Sequence, residues 1–201
     1  MKSKKLFTIS IVIIVALLLL ALTYININSS INNNLNNKGF EIRLASLGYL
    51  SETVGKNLIH ITLEGISNND EKEYKLKGNN LLFVLSTEGC NICIWQELDK
   101  IKEHINNLSK NITIKFIYLG DNHTNALRYN KFMPKGYDIF LSLDSRLERL
   151  NPTNKYPYLL YLKNDIIIDC HFPIPTDTTF SELFYKRIEK KSSFDTDKNN
   201  L

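Results

Sequence analysis

The chain has 201 residues, 43% of them hydrophobic, with a formal net charge of +4. This is enough apolar material for one domain with its own core plus short extras. Acidic and basic residues are interspersed without a long basic block, so the sequence carries no electrostatic footprint for nucleic acid, and no nucleic-acid partner is expected.

Lys2, Lys4 and Lys5 precede an uncharged apolar run from Leu6 to Ile25. About 20 apolar residues, each rising about 1.5 Å in a helix, span the hydrocarbon layer. The lysines favour the cytoplasmic side, which places the rest of the chain outside the cytoplasm, on the periplasmic or extracellular face. The run exceeds the apolar region of a signal peptide, and no small-x-small cleavage site follows it. Residues 1–27 therefore read as a retained single-pass anchor (one N-terminal transmembrane helix). Residues 28–39, rich in asparagine and without periodicity, read as a flexible linker. A folded domain is expected over 40–191 and a disordered tail over 192–201. The N-x-[ST] matches at Asn28, Asn107, Asn111 and Asn122 are what chance gives at this asparagine density.

Within the domain, strand and helix patterns alternate. Asn57 to Ile66 alternates apolar and polar residues as a half-buried strand does. A charged turn and a short segment ending at Gly78 follow. Leu81 to Leu85 is continuously apolar, as in a strand buried on both faces. Ile94, Leu98, Ile101, Ile105 and Leu108 recur at helical spacing within Ile92 to Leu108. Ile112 to Gly120 reads as a strand and Asn122 to Phe132 as a helix stopped by Met133-Pro134. Tyr137 to Asp144 is strand-like, and SRLERL after it is helical. The strand YPYLLYL and the strand Ile166 to Cys170 form a hairpin around Asn164-Asp165. Thr178 to Lys190 closes the domain as a helix. This is an α/β pattern with a central sheet covered on both faces, its parallel strands joined by right-handed crossovers.

The chemistry concentrates at STEGCNICIWQ. Cys90 follows the buried strand by a short loop, and Cys93 falls in the first turn of the next helix. The unpaired N–H groups and positive dipole end of that turn stabilise a thiolate, and a lowered thiol pKa makes a cysteine a usable nucleophile. A C-x-x-C beside a βαβ pattern in a cysteine-poor chain reads as a redox pair. A structural disulfide would close too short a loop to restrain the unfolded chain much. A zinc site needs more ligands than one C-x-x-C supplies. Cys170, His171 and His123 are the remaining candidates, a thiolate–imidazole set that suits copper. Cys170, after Ile166 to Ile168, reads as a buried strand residue. Glu88, two residues before Cys90, reads as an exposed loop glutamate. There is no G-x-G-x-x-G, so neither a nicotinamide nor a flavin cofactor is expected.

From about Ile59 to Ile188 the sequence resembles the thioredoxin-like family, in particular its membrane-anchored extracytoplasmic thiol–disulfide oxidoreductases and redoxins. The stretches that carry the resemblance are LLFVLSTEGCNICIWQEL, with an acidic residue shortly after the motif, the lead-in EYKLKGNN, and KYPYLLYLKNDIII. The resemblance implies a three-layer sandwich around a mixed sheet. It implies Cys90 as the attacking and Cys93 as the resolving thiol, protein thiols or disulfides as substrates, and a membrane or envelope redox partner. It further implies that Pro157 follows a cis peptide bond and faces the cysteines in the substrate groove, with Tyr156 before it. The chain departs from the family in having Gly89 where tryptophan often stands, and Asn91-Ile92 between the cysteines where the family has Gly-Pro. The alternatives are a copper chaperone, whose family spaces its cysteines one residue further apart, and a redox-inactive binding module on the same fold.

Overall fold

The computed structural model describes Thr23 and residues 51–66, 71–86, 90–151, 156–173 and 178–198. The run from Leu6 to Ile25 and the linker lie outside the described residues, Thr23 apart. Among the described residues no helix is long and apolar enough to cross a membrane.

Among the described residues the named elements run in order: β1 (His60–Gly65), β2 (Glu71–Lys75), β3 (Asn79–Leu85), α1 (Asn91–Leu108), β4 (Thr113–Leu119), α2 (His123–Asn130), β5 (Ile139–Ser142), α3 (Ser145–Arg149), β6 (Tyr158–Lys163), β7 (Ile166–His171) and α4 (Thr179–Lys198). The strands form one mixed sheet in the order β2-β1-β5-β4-β3-β6-β7. β3, β4 and β5 are parallel neighbours, so α1 and α2 are the crossovers between them. β6 lies antiparallel on the other side of β3 and pairs with β7 in a hairpin. That hairpin turns at Asn164 and Asp165, which sit at φ 48° and 68°, as a tight two-residue turn requires.

The central strand β3 is buried along nearly its whole length, and its side chains divide between two cores. Leu81, Phe83 and Leu85 pack with Ile94, Leu98 and Ile101 of α1, Ala126 of α2, and Phe184, Tyr185 and Ile188 of α4. Leu82 and Val84 face the opposite core, with Leu58, Leu147, Tyr158 and Ile167. The two-residue alternation of a strand thus serves both layers at once, which is why no polar residue interrupts the run.

Three expectations need correction. The segment before Gly78 includes a strand, β2, which pairs antiparallel with β1 from His60↔Lys75 to Glu64↔Glu71. The strand begun at Asn57 starts only at His60. Before it, the chain runs beside β7: Gly55 N donates to the Ile167 carbonyl at 2.7 Å, and Ile167 N donates to that of Lys56 at 3.0 Å. This covers part of a sheet edge that would otherwise be open. Last, residues 192–198 continue α4 instead of fraying. Ser192 is buried and its Oγ donates to the Glu189 carbonyl, while Ser193 Oγ donates to that of Lys190. Their hydroxyls are thus absorbed by the helix, and no glycine or proline follows within it.

Candidate active site

Cys90 is the N-cap of α1, with extended backbone (φ −61°, ψ 104°), and its Sγ accepts from the Cys93 N–H at 3.3 Å. Its carbonyl takes the next amide, Ile94 N, at 3.0 Å. A sulfur thus occupies the place where a serine or aspartate oxygen usually meets the orphan N–H groups of a helix. Cys90 and Cys93 are joined as a disulfide, with their Cα atoms 5.3 Å apart. The two are unequally accessible: Cys90 is partly exposed, whereas Cys93 is 1% exposed. An incoming sulfur can reach only the first. Thr87, Glu88 and Gly89, including the position where the family often has tryptophan, lie outside the described residues.

The residues between the cysteines are held differently. Asn91 Oδ1 accepts from Tyr129 Oη of α2 at 2.7 Å, whereas Ile92 is 63% exposed. Trp95 packs edge-on against Phe132 at 4.2 Å and tilted against Tyr129 at 5.9 Å. The tryptophan therefore ties α1 to α2 beside the cysteine end.

Pro157 is buried and Tyr156 partly exposed, immediately before β6. Continuing the register Val84↔Tyr158 by one step sets Pro157 level with Leu85, at the end of β3 that leads to Cys90. No peptide bond among the described residues is cis, so the expected cis bond at Tyr156-Pro157 is corrected to trans. Trans is the lower-energy form by about 0.5–1 kcal/mol, and Asn151 Nδ2 holds the Tyr156 carbonyl in that orientation at 3.0 Å.

Below the cysteines lies a buried polar network that sequence patterns did not reveal. Glu97, one turn after Cys93, is 2% exposed. Ser181 Oγ and Tyr185 Oη of α4 donate to its two oxygens, each at 2.6 Å, and His171 Nε2 lies 2.9 Å from Ser181 Oγ. Burial pushes the Glu97 carboxyl up, against the two hydroxyl bonds and the nearby cations that favour its ionised form. Burial holds His171 down at about 3, helped by the Arg187 guanidinium, so near neutrality the ring is uncharged. With the Ser181 proton directed to Glu97, His171 Nε2 is the donor to Ser181. Glu97 was visible in the sequence as the acid after the motif, and His171 only as a candidate metal ligand; the partners of Glu97 come from 84 and 88 residues further on.

The other candidates are dispersed. Cys170 is buried, and burial pushes its thiol up to about 12, so it remains a packed apolar thiol. His123 Nε2 pairs with Glu64 at 3.4 Å. Among the described residues, one group of three possible metal-ligating side chains converges, Glu103, His104 and Glu182, and it includes no cysteine. The copper set of Cys170, His171 and His123 is therefore not assembled around the pair.

No protein-family model matches the sequence, and no curated protein matches it. Solved structures do match. A Bacteroides thetaiotaomicron protein, described as a candidate protein disulfide isomerase, shares 13% identity. It superimposes with a TM-score of 0.54, over 70% of this chain and 90% of its own. A candidate thiol:disulfide interchange protein, DsbE, from Chlorobium tepidum shares 12% identity, with a TM-score of 0.51 over 68% of this chain and 96% of its own. At such identities the likeness speaks to architecture. The sheet order, the crossover helices and a disulfide where the central strand meets its helix come together in one architecture: the chain has the thioredoxin-like fold.

Proposed function

We propose that the chain is a thiol–disulfide oxidoreductase working through Cys90 and Cys93. The observation that supports it most is the asymmetric pair at the start of α1: a partly exposed Cys90 at the helix cap, backed by a buried Cys93. In the reductive direction the Cys90 thiolate attacks one sulfur of a substrate disulfide. That S–S bond breaks, the departing thiolate takes a proton, and a mixed disulfide remains. Cys93, deprotonated, then attacks Cys90 Sγ and displaces the second substrate thiolate. The substrate gains two electrons and the pair loses two, which a dithiol protein must return. The opposite direction oxidises a substrate dithiol. Pro157 and Tyr156 would border the groove beside the pair. The Lys-flanked apolar run from Leu6 to Ile25 supports a single-pass anchor with the domain outside the cytoplasm, hence substrates and a redox partner in the envelope.

The test is the reduction potential of the pair in the full-length chain, purified in detergent from the alkali-resistant membrane pellet to which this topology assigns it. A reversible two-electron couple between about −120 and −270 mV is expected, and its value gives the direction of transfer. A bond that survives below about −300 mV is structural, and the fold would then serve as a binding module.

A further inference from the structure

The parallel strands β3, β4 and β5 end at the same edge of the sheet, the edge from which the Cys90 loop departs. Beyond the carboxyl ends of parallel strands is where open α/β sheets place their ligands. A pocket of about 130 Å³ opens there, lined by Ser86, Leu119, Gly120, Ser142, Asp144 and Glu148, with Leu143 also on its wall. Leu143 is 73% exposed, the barest large apolar side chain among the described residues.

Two features of this pocket are unsatisfied. Ser86, four residues before Cys90, is 3% exposed, yet its Oγ has no hydrogen-bond partner. A buried hydroxyl without a partner is costly, so Ser86 is suited to a ligand that supplies one. The second is charge. The Asp144 carboxylate is already taken by Arg146, which donates to it from Nε at 3.0 Å and from Nη2 at 2.6 Å. Arg146 also reaches the His60 carbonyl, so both sides of that pair are committed. Glu148 is exposed, and its carboxylate has no ion-pair or hydrogen-bond partner among the described residues. Among the described residues the pocket thus presents one carboxylate without an ion-pair partner, a buried hydroxyl and an apolar lip.

We infer that this pocket receives the cationic side chain of a peptide substrate, a lysine or arginine near the cysteine that Cys90 attacks. Its N–H groups meet the Glu148 carboxylate and the Ser86 hydroxyl while its methylenes lie along Leu143. This subsite rests on the oxidoreductase reading and gives it a substrate class: disulfides flanked by basic residues.

Two disulfide-linked reporter peptides that differ only in arginine or glutamine two positions from the cysteine test it on the reduced full-length chain. The arginine peptide should be reduced with a kcat/KM about fivefold higher. Glu148→Gln should bring the ratio close to one while leaving the glutamine peptide unchanged, and Ser86→Ala should lower the arginine peptide selectively. Where both peptides are reduced, equal rates, or a preference that survives Glu148→Gln, overturn the subsite. A separate readout needs no redox chemistry: fluorescence anisotropy of the same peptides with serine in place of cysteine. Arginine-dependent binding that Glu148→Gln weakens about fivefold upholds the subsite even if neither disulfide is reduced, in which case the oxidoreductase reading alone falls. Absence of that binding difference overturns the subsite even if both disulfides are reduced.

Discussion

Cys90 and Cys93 have the same side chain and different surroundings. Cys90 Sγ receives one of the free N–H groups in the first turn of a helix and is partly exposed; Cys93 is closed off by the core. On the oxidoreductase reading, roles in exchange follow from that difference, because attack requires access and release requires a second sulfur within reach. Cys93→Ser should therefore leave the first step intact and abolish the second. Incubated with a disulfide-bonded protein, this variant should accumulate a covalent adduct on non-reducing gels, whereas Cys90→Ser should accumulate none. Adduct formation by Cys90→Ser but not by Cys93→Ser would reverse the assignment. Both cysteines were legible in the sequence from their spacing and from the apolar run before them. The hydrogen bond from Tyr129 to Asn91 was not, because it joins residues 38 positions apart across two helices.

Among the elements, α3 is the least self-sufficient, with five residues from Ser145 to Arg149. A helix so short gains little from its own hydrogen bonds and depends on its cap. Asp144 Oδ1 accepts from the Arg146 N–H at 2.9 Å, and Arg146 closes back on the same carboxylate. Burial works to raise the pKa of that carboxyl, but the Arg146 bonds and charge outweigh it and hold the group below its usual range. Asp144→Ala removes the cap and the charge-assisted bonds together. It should cost about 2 kcal/mol, read as a lower denaturant midpoint at unchanged slope. A loss below about 0.5 kcal/mol would show that packing of Leu147 alone holds α3. Periodicity revealed the long elements because each shows one apolar face over several turns or a whole strand. It passed over β2, whose residues Glu71 to Lys75 are mostly charged and gain their strand conformation from pairing with β1. It also stopped α4 early, since Ser192 and Ser193 resemble a helix end until their bonds to preceding carbonyls are known.

For the molecule as a whole, the buried ionisable groups set how stability responds to acid. His171 is held at about 3 against an ordinary 6.5. Between those values the unfolded chain binds a proton that the folded chain refuses, so folding weakens as pH falls through that window. Asp169 acts in the same direction at lower pH. Burial would raise its pKa, but hydrogen bonds from Arg187 and Lys191 hold it below its usual value. Glu97 has the opposite sign: its raised pKa makes folding weaken as pH rises above its ordinary 4.5. The histidine gives the larger excursion in mild acid. On going from pH 7 to pH 4, the wild type should lose about 3 kcal/mol more unfolding free energy than His171→Gln. Urea titrations of both proteins at the two pH values measure this, and parallel losses would show that His171 titrates normally when folded. None of this could be read from the HFP tripeptide, because burial of that ring depends on α4 packing over it.

The unequal treatment of Asn91 and Ile92 bears on how this protein could diversify. One member of the dipeptide between the sulfurs is moored to the neighbouring helix; the other projects bare into solvent. Drift at position 91 would cut a mooring beside both sulfurs and so, on the oxidoreductase reading, disturb the electron transfer itself. Drift at position 92 would alter only what an approaching polypeptide meets. On the same reading, partner choice and redox poise, fused in one tetrapeptide, would be separately adjustable, and a lineage could exchange its clients one residue at a time while its electrochemistry stayed put.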